Sequence, residues 1–521
     1  MEQRVIGPPG CGKTTWLSRQ VKRAVDEGKD VLVASLTRAA AAEAAGRNLP
    51  IPPRNVGTLH SHCYQSLGRP SLTVDRKNVE DWNTRYPEWA LSFSDDRIDG
   101  DNLEESGQSP GDKLMATYQV LRARMATVYP IDVDRMASTW TSWKAEAGLM
   151  DFTDLIEQSL ETIPTAPGNP SVLFLDEAQD MDLLEMSLAR KWGEAAGYLI
   201  VVGDPDQNLY QWRGSDPEVF VEPAVPDDQM RVLTQSYRIP KAVHTTAVRW
   251  IERTPGRVPV EYYPRDVEGE VRHLAAPWPH AEPLLRDMQR YLDDGKTVMV
   301  LASCAYMLRP MLARLRREGI PYHNPYRRTK GAWNPLQSSR RRITPKDLVL
   351  SFLRMSEEGI WTAEDMARWL AATKISGVLQ GNRGTLDDLT DDGSAGVSWE
   401  RLHNVLTDEA VDAGLSGDLE WLRDNLLAAR QKGAEFAIRV AETHGAETLS
   451  KTPKIITGTI HSVKGGEADV VYLFPDLSYA GMNEWMGGGQ PAVRRLFYVG
   501  MTRARESLIL CQPASSRSVA M

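Results

Sequence analysis

Five apolar runs of strand length stand out along the chain: DVLVAS (30–35), SVLFLD (171–176), YLIVVGD (198–204), TVMVLAS (297–303) and ADVVYLF (468–474). Their apolar residues are continuous rather than alternating, the pattern of a parallel strand covered on both faces. Elsewhere the period lengthens. In TTWLSRQVKRAV (14–25), Trp16, Leu17, Val21 and Val25 recur at helical spacing. Strands alternating with helical patterns predict parallel α/β sheets flanked by helices.

At 521 residues the chain is long enough for three or four domains. Its 42% hydrophobic and 25% charged residues exclude a disordered or fibrous class. No stretch reaches the ~18 uninterrupted apolar residues of a membrane span, and too few residues precede the first motif for a signal peptide. No membrane role and a cytoplasmic location, in a bacterium or a virus-infected host, are therefore expected. Cys11, Cys63, Cys304 and Cys511 lie far apart without a CxxC pair, which supports neither a zinc site nor a disulfide framework. A net charge of −9 argues against a general basic coat, but it leaves room for one local groove that binds nucleic acid. No internal repeat is evident.

Three segments carry chemistry. RVIGPPGCGKTT (4–15) sends a short strand into a glycine-rich loop and then a helix. Gly7, Pro8, Pro9, Gly10, Cys11, Gly12, Lys13, Thr14 and Thr15 fit the spacing of a phosphate cradle. Backbone N–H groups and a helix N-terminus would face phosphate oxygens, with Lys13 reaching the β- and γ-phosphates and Thr14 coordinating Mg²⁺. The run 171–176 ends on adjacent carboxylates: Asp176 could hold Mg²⁺, and Glu177 could take a proton from an attacking water. GDPDQNLYQWRGSD (203–216) places the amide of Gln207 a few residues from Tyr210, Trp212 and Arg213. One loop thus pairs a phosphate- or water-touching amide with flat rings and a cation; the plainer alternative is a surface loop whose Trp212 tucks onto the core.

DEAQD (176–180) followed by VVGDPDQNLYQWRGS (201–215) resembles the UvrD/Rep-like branch of superfamily 1 DNA helicases. The other motifs follow in order. VASLTRAAAAE (33–43) is similar to motif Ia, VGTLHSHC (56–63) to Ib, and GLMDFTDLI (148–156) to the DFxDLL segment. LTQSYRIP (233–240) is similar to motif IV, TIHSVKGGEADVVYL (459–473) to V, and RRLFYVGMTRARESLIL (494–510) to VI. The resemblance implies ATP and Mg²⁺ as cofactors, with Lys13, Glu177, Gln207, Arg238 and Arg503 carrying catalysis. Tyr237 would stack on adenine, Glu467 would hold the ribose, and Arg238 would contact the γ-phosphate. Gln207 would touch that phosphate and the attacking water, and Arg503 would be a second arginine finger supplied by the other RecA-like domain. Thr37, Arg38, Thr58, His60, Thr459 and His461 would line the path of single-stranded DNA. Tyr210 and Trp212 would stack on bases beside Arg213.

The fold so implied is α/β: two RecA-like P-loop domains, each with a mostly helical insertion. The first would comprise 1–66 and 148–235 around an insertion at 67–147. The second would comprise 236–330 and 447–521 around a reduced insertion at 331–446. Its border, YRRTKGAWNPLQSSRRRITPK (326–346), is basic and free of acids, a solvated loop or a DNA-backbone contact. The family's upstream glutamine motif has no counterpart in Met1–Ile6, so one reader of adenine is expected to be missing. The function implied is an ATP-dependent helicase moving 3′→5′ on single-stranded DNA, with single-stranded and 3′-tailed duplex DNA as partners. The alternatives are a DNA-stimulated ATPase that strips protein from DNA with little unwinding, and a generic P-loop enzyme such as a nucleotide kinase. QWRG and TRAR disfavour a 5′→3′ helicase, and no nuclease motif is found.

Overall fold

The computed structural model describes residues 1–35, 49–92, 109–327, 334–337, 343–381 and 396–521. The chain divides into two compact units. One comprises Met1–Leu274, Leu301–Tyr306 and Thr459–Met521; the other comprises Ala275–Val300 and Met307–Gly458.

The first unit holds a parallel six-stranded sheet in the order Val56–Thr58, Val31–Ser35, Val172–Asp176, Tyr198–Gly203, Glu2–Ile6, Met230–Val232. The register aligns the strand ends: Ser35 stands opposite both Thr58 and Asp176, and Ile6 opposite Gly203. Every loop that leaves the carboxyl edge of these strands therefore starts from one line, where open α/β sheets bind their ligands. The continuous apolar runs have the expected cause. Val31, Val33, Val172 and Phe174 pack on one face with Leu17, Val21 and Ala24 of the helix Lys13–Asp26. Leu32, Ala34, Leu173 and Leu175 pack on the other with Leu59, Leu155, Ile156, Leu188 and Trp192. Alternate residues of each strand feed opposite cores, so no polar face is left.

Glu270–Leu274, Ala504–Cys511 and Ala468–Leu473 add a second set of parallel pairings within this unit. Helices Arg76–Arg85, Pro110–Ala123 and Ile131–Ala147 form an insertion around their own aromatic core. In it Trp82 lies 4.8 Å from Trp140 and 5.4 Å from Trp143, both edge-on. Asp151 caps the helix Phe152–Thr162 in a reciprocal capping box with Asp154. Both carboxylates also hold Arg122 and Lys144 of the insertion helices; Arg122 Nη1 is 3.0 Å from Asp151 and Nη2 is 2.6 Å from Asp154. The DFTDL segment is thus a structural joint. Removing one side would leave a buried charge unpaired, at about 3–5 kcal/mol.

The second unit is mostly helical. Strands Ile455–Thr459 and Tyr322–His323 pair in parallel, and the helices include Ala281–Asp293, Arg309–Arg317, Pro345–Glu358, Ala363–Leu370 and Ala428–His444. A second aromatic core joins Trp361 to Trp369 at 5.0 Å and Phe352 to Trp421 at 6.0 Å. The chain is an α/β protein of parallel sheets flanked by helices, with mostly helical insertions, the architecture of paired RecA-like domains. Among the described residues no helix is long and apolar enough to cross a membrane.

Candidate active site

The loop after Ile6 enters the helix Lys13–Asp26 with Gly10 and Gly12 at φ of 76° and 75°. That left-handed backbone favours glycine, and a Cβ on Gly10 would come within 2.6 Å of Ser236 Oγ and Arg238 Cβ. The outer side of the loop is clamped. Ser236 Oγ and Tyr262 Oη donate to Pro9 O at 3.0 and 2.8 Å, and the Tyr237 N–H donates to Gly10 O at 2.9 Å. The N–H groups trans to those carbonyls point the other way. The helix starts without a side-chain cap and without an acid in its first turn, which leaves its N-terminal N–H groups and partial positive charge for an anion. Lys13 Nζ folds back over the loop onto Gly7 O at 2.7 Å.

A cavity of about 420 Å³ opens there, and almost all of its lining consists of motif residues. Pro9, Gly10, Gly12, Lys13, Thr14 and Thr15 come from the loop; Glu177, Gln207, Tyr237 and Arg238 from later motifs; Lys464, Glu467, Arg503 and Arg505 from the last two. The Tyr237 ring is 72% exposed, a free flat surface at the mouth. Arg238 Nε donates to Glu467 Oε2 at 2.6 Å, and Arg505 reaches the other oxygen at 3.4 Å. Arg503 is buried: its guanidinium donates to Gln207 Oε1 at 3.0 Å, Gly466 O at 3.1 Å and Val499 O at 2.9 Å. Burial, then the like charge of Arg238, lowers its pKa to about 9, so it stays protonated at neutral pH. Gln207 in turn donates to Asp204 Oδ2 at 2.6 Å. Burial pushes the Cys11 thiol up to about 12, which keeps a negative charge out of the loop.

Asp176 ends its strand buried, and Glu177 follows at φ 53°. A non-glycine residue held in that region carries about 1–3 kcal/mol of strain. Burial raises the Glu177 pKa, but Lys464 and Lys13 outweigh it and leave the carboxyl below its ordinary value. Gln179 Nε2 fixes Glu177 Oε2 at 2.6 Å. N–H groups, Lys13, Lys464 and arginines suit a polyphosphate, while the Thr14 hydroxyl and the strand-end Asp176 suit its divalent cation. The residues fit a nucleoside triphosphate with Mg²⁺.

The next loop carries rings. Tyr210 lies 6.4 Å from Trp212 and 6.4 Å from His461, with Arg213 5.9 Å and Lys464 5.4 Å from its centroid. Trp212 is 38% exposed and so is not a core tryptophan. Thr58 Oγ1 caps the helix Leu59–Ser66 by accepting from Ser61 N at 3.1 Å. His60 Nδ1 sits 3.5 Å from Glu185 Oε1. Thr459 is buried and accepts from Ser462 N at 3.3 Å. Burial takes both His60 and His461 down to about 4, so both are neutral near pH 7. Thr37, Arg38 and the Arg340–Arg342 run lie outside the described residues.

Two features escaped the sequence reading. Lys464 pairs with Asp180, donates to Gln207 O at 3.0 Å and lies 3.9 Å from Glu177 Oε2. The only signal was a lysine three residues after His461, and its partner Asp180 is 284 residues away. The clamp of Ser236 and Tyr262 on Pro9 left no local trace either.

The sequence matches the model of the UvrD/REP helicase N-terminal domain over residues 2–224 and that of the UvrD-like helicase C-terminal domain over 455–511. Together these cover more than half of the chain. It is 24% identical over 333 residues to the ATP-dependent DNA helicase PcrA of Staphylococcus aureus, a match covering 57% of this chain and 45% of that protein. The PcrA of Staphylococcus epidermidis matches equally, with the same identity and shares. The chain therefore aligns with less than half the length of these relatives. The DNA helicase II of Salmonella typhimurium is 24% identical over 552 residues, covering 89% of this chain and 71% of that protein. With both terminal domain models matched in order, on a fold of parallel sheets, the chain belongs to the UvrD/Rep-like family of superfamily 1 helicases.

Proposed function

We propose that the protein is an ATP-dependent DNA translocase and helicase that moves 3′→5′ on single-stranded DNA and opens duplex ahead of it, in the cytoplasm of a bacterium or of a virus's host. The observation that carries the reading is the double attachment of Gln207. Its side chain bridges Arg503 and Asp204 in the cavity, and its carbonyl accepts from Lys464, which faces the Tyr210 ring. Phosphate-facing and base-facing groups share one short segment.

In this reading the loop N–H groups and Lys13 hold the phosphates of ATP, and Arg238 and Arg503 neutralise charge on the transferring phosphoryl group, an effect of ~10³–10⁵ in rate for such a finger. Glu177 takes a proton from the attacking water. Thr14 and Asp176 would hold Mg²⁺, which would supply further charge neutralisation. Arg238 gives up Glu467 for the phosphate, freeing that carboxylate for the ribose while Tyr237 covers the base. Tyr210, Trp212 and Arg213 grip the strand, with Thr58, His60, Thr459 and His461 along its path. Residues 1–66 with 148–235 and 236–330 with 447–521 act as the two motor domains. The names of PcrA and DNA helicase II support the activity.

Duplexes with a 3′ or a 5′ single-stranded tail, given ATP and Mg²⁺, test it. Unwinding only from the 3′ tail is expected. Unwinding from the 5′ tail would reverse the direction, and DNA-stimulated turnover without unwinding would favour a protein-stripping ATPase.

A further inference from the structure

Lys464 touches more of the site than its single charge requires. Its ammonium is paired with Asp180, donates to Gln207 O at 3.0 Å, lies 5.4 Å from the Tyr210 ring centroid and stands 3.9 Å from Glu177 Oε2. These partners come from two segments, the turn after Val172–Asp176 and the loop after Tyr198–Gly203, and Lys464 itself stands in the turn after Ile455–Thr459. The lysine side chain is 13% exposed and that of Asp180 is fully buried, so the pair is weakly screened.

We propose that Lys464 is a positioning residue that transmits what occupies the Tyr210 ring to the Glu177 carboxylate, so that ATP turnover answers to bound DNA. This rests on the reading under Proposed function. An ammonium has three N–H donors. Two are committed, to Asp180 and to the Gln207 carbonyl, and the ring face takes up the remaining field. Asp180 is further fixed by the Leu209 N–H at 3.3 Å, immediately before Tyr210. A base that stacks on or shifts Tyr210 therefore moves a held cation, not a free one. Releasing Lys464 would leave a buried carboxylate unpaired, so the cation moves with the segment. Glu177 also faces Lys13, Arg503 and Asp180. Of Lys464, Lys13 and Arg503, Lys464 is the one that lies over the Tyr210 ring among the described residues.

The test is ATP turnover of the full chain with Mg²⁺, without and with saturating oligo(dT); the ratio of the two rates is the stimulation factor. Lys464→Met and Tyr210→Leu should each lower that factor by about tenfold, while KM for ATP moves by less than about threefold. Because both act on one path, the double variant should lose no more than the weaker single variant. Lys464→Met leaves Asp180 unpaired and can fail to fold. Lys464→Met with Asp180→Asn removes both charges, and its factor should fall as far. A parental factor in the folded charge-free variant, or losses that multiply in the Lys464/Tyr210 double, overturns the proposal. A parent that ignores oligo(dT) overturns the helicase reading and the proposal with it; a responsive parent matched by its variants overturns the proposal alone.

Discussion

Thr58-Leu59-His60-Ser61 and Thr459-Ile460-His461-Ser462 close two parallel strands with the same turn. In each, the threonine hydroxyl accepts the serine N–H, at 3.1 and 3.3 Å, and the serine hydroxyl donates back to the threonine carbonyl, at 2.7 and 2.9 Å. Each presents an imidazole that burial keeps neutral. What lies beyond the turn differs. His60 leans on Phe152 and faces Glu185, a carboxyl that burial and then Asp182 raise to about 8. Glu185 is itself committed to the capping box of the helix Leu183–Ala196. His461 faces Tyr210, and three residues on, Lys464 reaches Asp180 and Gln207. The turn sets the shape of both corners, and the contact that follows separates a corner that ends on a helix cap from one that reaches the cavity lined by Lys13, Gln207 and Lys464.

The largest effect that would sharpen this contrast lies on the coupled side. Gln207→Ala removes the link between Arg503, Asp204 and the rings, so DNA-stimulated turnover should fall about 10²–10³-fold, as for loss of one preorganised donor. Its affinity for oligo(dT), measured by anisotropy, should stay near parental. Trp212→Ala should reverse the pattern: affinity for oligo(dT) falls by ~1–3 kcal/mol with nucleotide binding kept. Parental affinity there would return Trp212 to the role of packing.

His60→Ala and His461→Ala test the two corners against each other. Each should weaken oligo(dT) binding by ~1 kcal/mol, the worth of a neutral contact. Neither should change the salt dependence, because a neutral imidazole releases no counterion; a lost phosphate contact would lower the slope by about 0.7. Only His461→Ala should also lower the stimulation factor. Equal losses of stimulation in both variants would break the contrast.

The remaining effect is on stability. Glu185 has a folded pKa of about 8, above its ordinary 4.5, so the folded state holds a proton that the unfolded state has released. The stability this contributes is complete below about pH 4.5 and is lost as pH rises to about 8. Glu185→Gln removes that dependence, so denaturant midpoints should fall less steeply from pH 5 to 8 than in the parent. Parallel pH profiles would show the carboxyl already ionised beside His60.

Much of the fold was legible because its signals are local. A strand covered on both faces reads as an unbroken apolar run, as in Val31–Ser35 and Val172–Asp176, and the phosphate loop is a matter of spacing between Gly7 and Lys13. The cavity's residue types were legible too, through motifs in order. What sequence withheld was partnership. Asp151 and Asp154 read as a motif but act as caps and anchors for Arg122 and Lys144. Tyr262 reaches Pro9 across 253 residues, and Lys464 reaches Asp180 across 284. Such contacts depend on strand order in the sheets, which periodicity does not specify. The repeated Thr-x-His-Ser turn is visible in TLHS and TIHS, but four residues are too few to read as a repeat before the matching hydrogen bonds are seen.

In the proposed function, the cavity beside Lys13 and the ring-bearing loop form one energetic unit. Equilibrium binding measured both ways tests it most directly: oligo(dT) affinity with and without a non-hydrolysable ATP analogue and Mg²⁺, and analogue affinity with and without oligo(dT). Thermodynamic linkage requires the two factors to be equal. Both factors should differ from one in the parent, by about 5–150-fold, and both should shrink towards one in Gln207→Ala. Affinities that ignore the second ligand in the parent would contradict it.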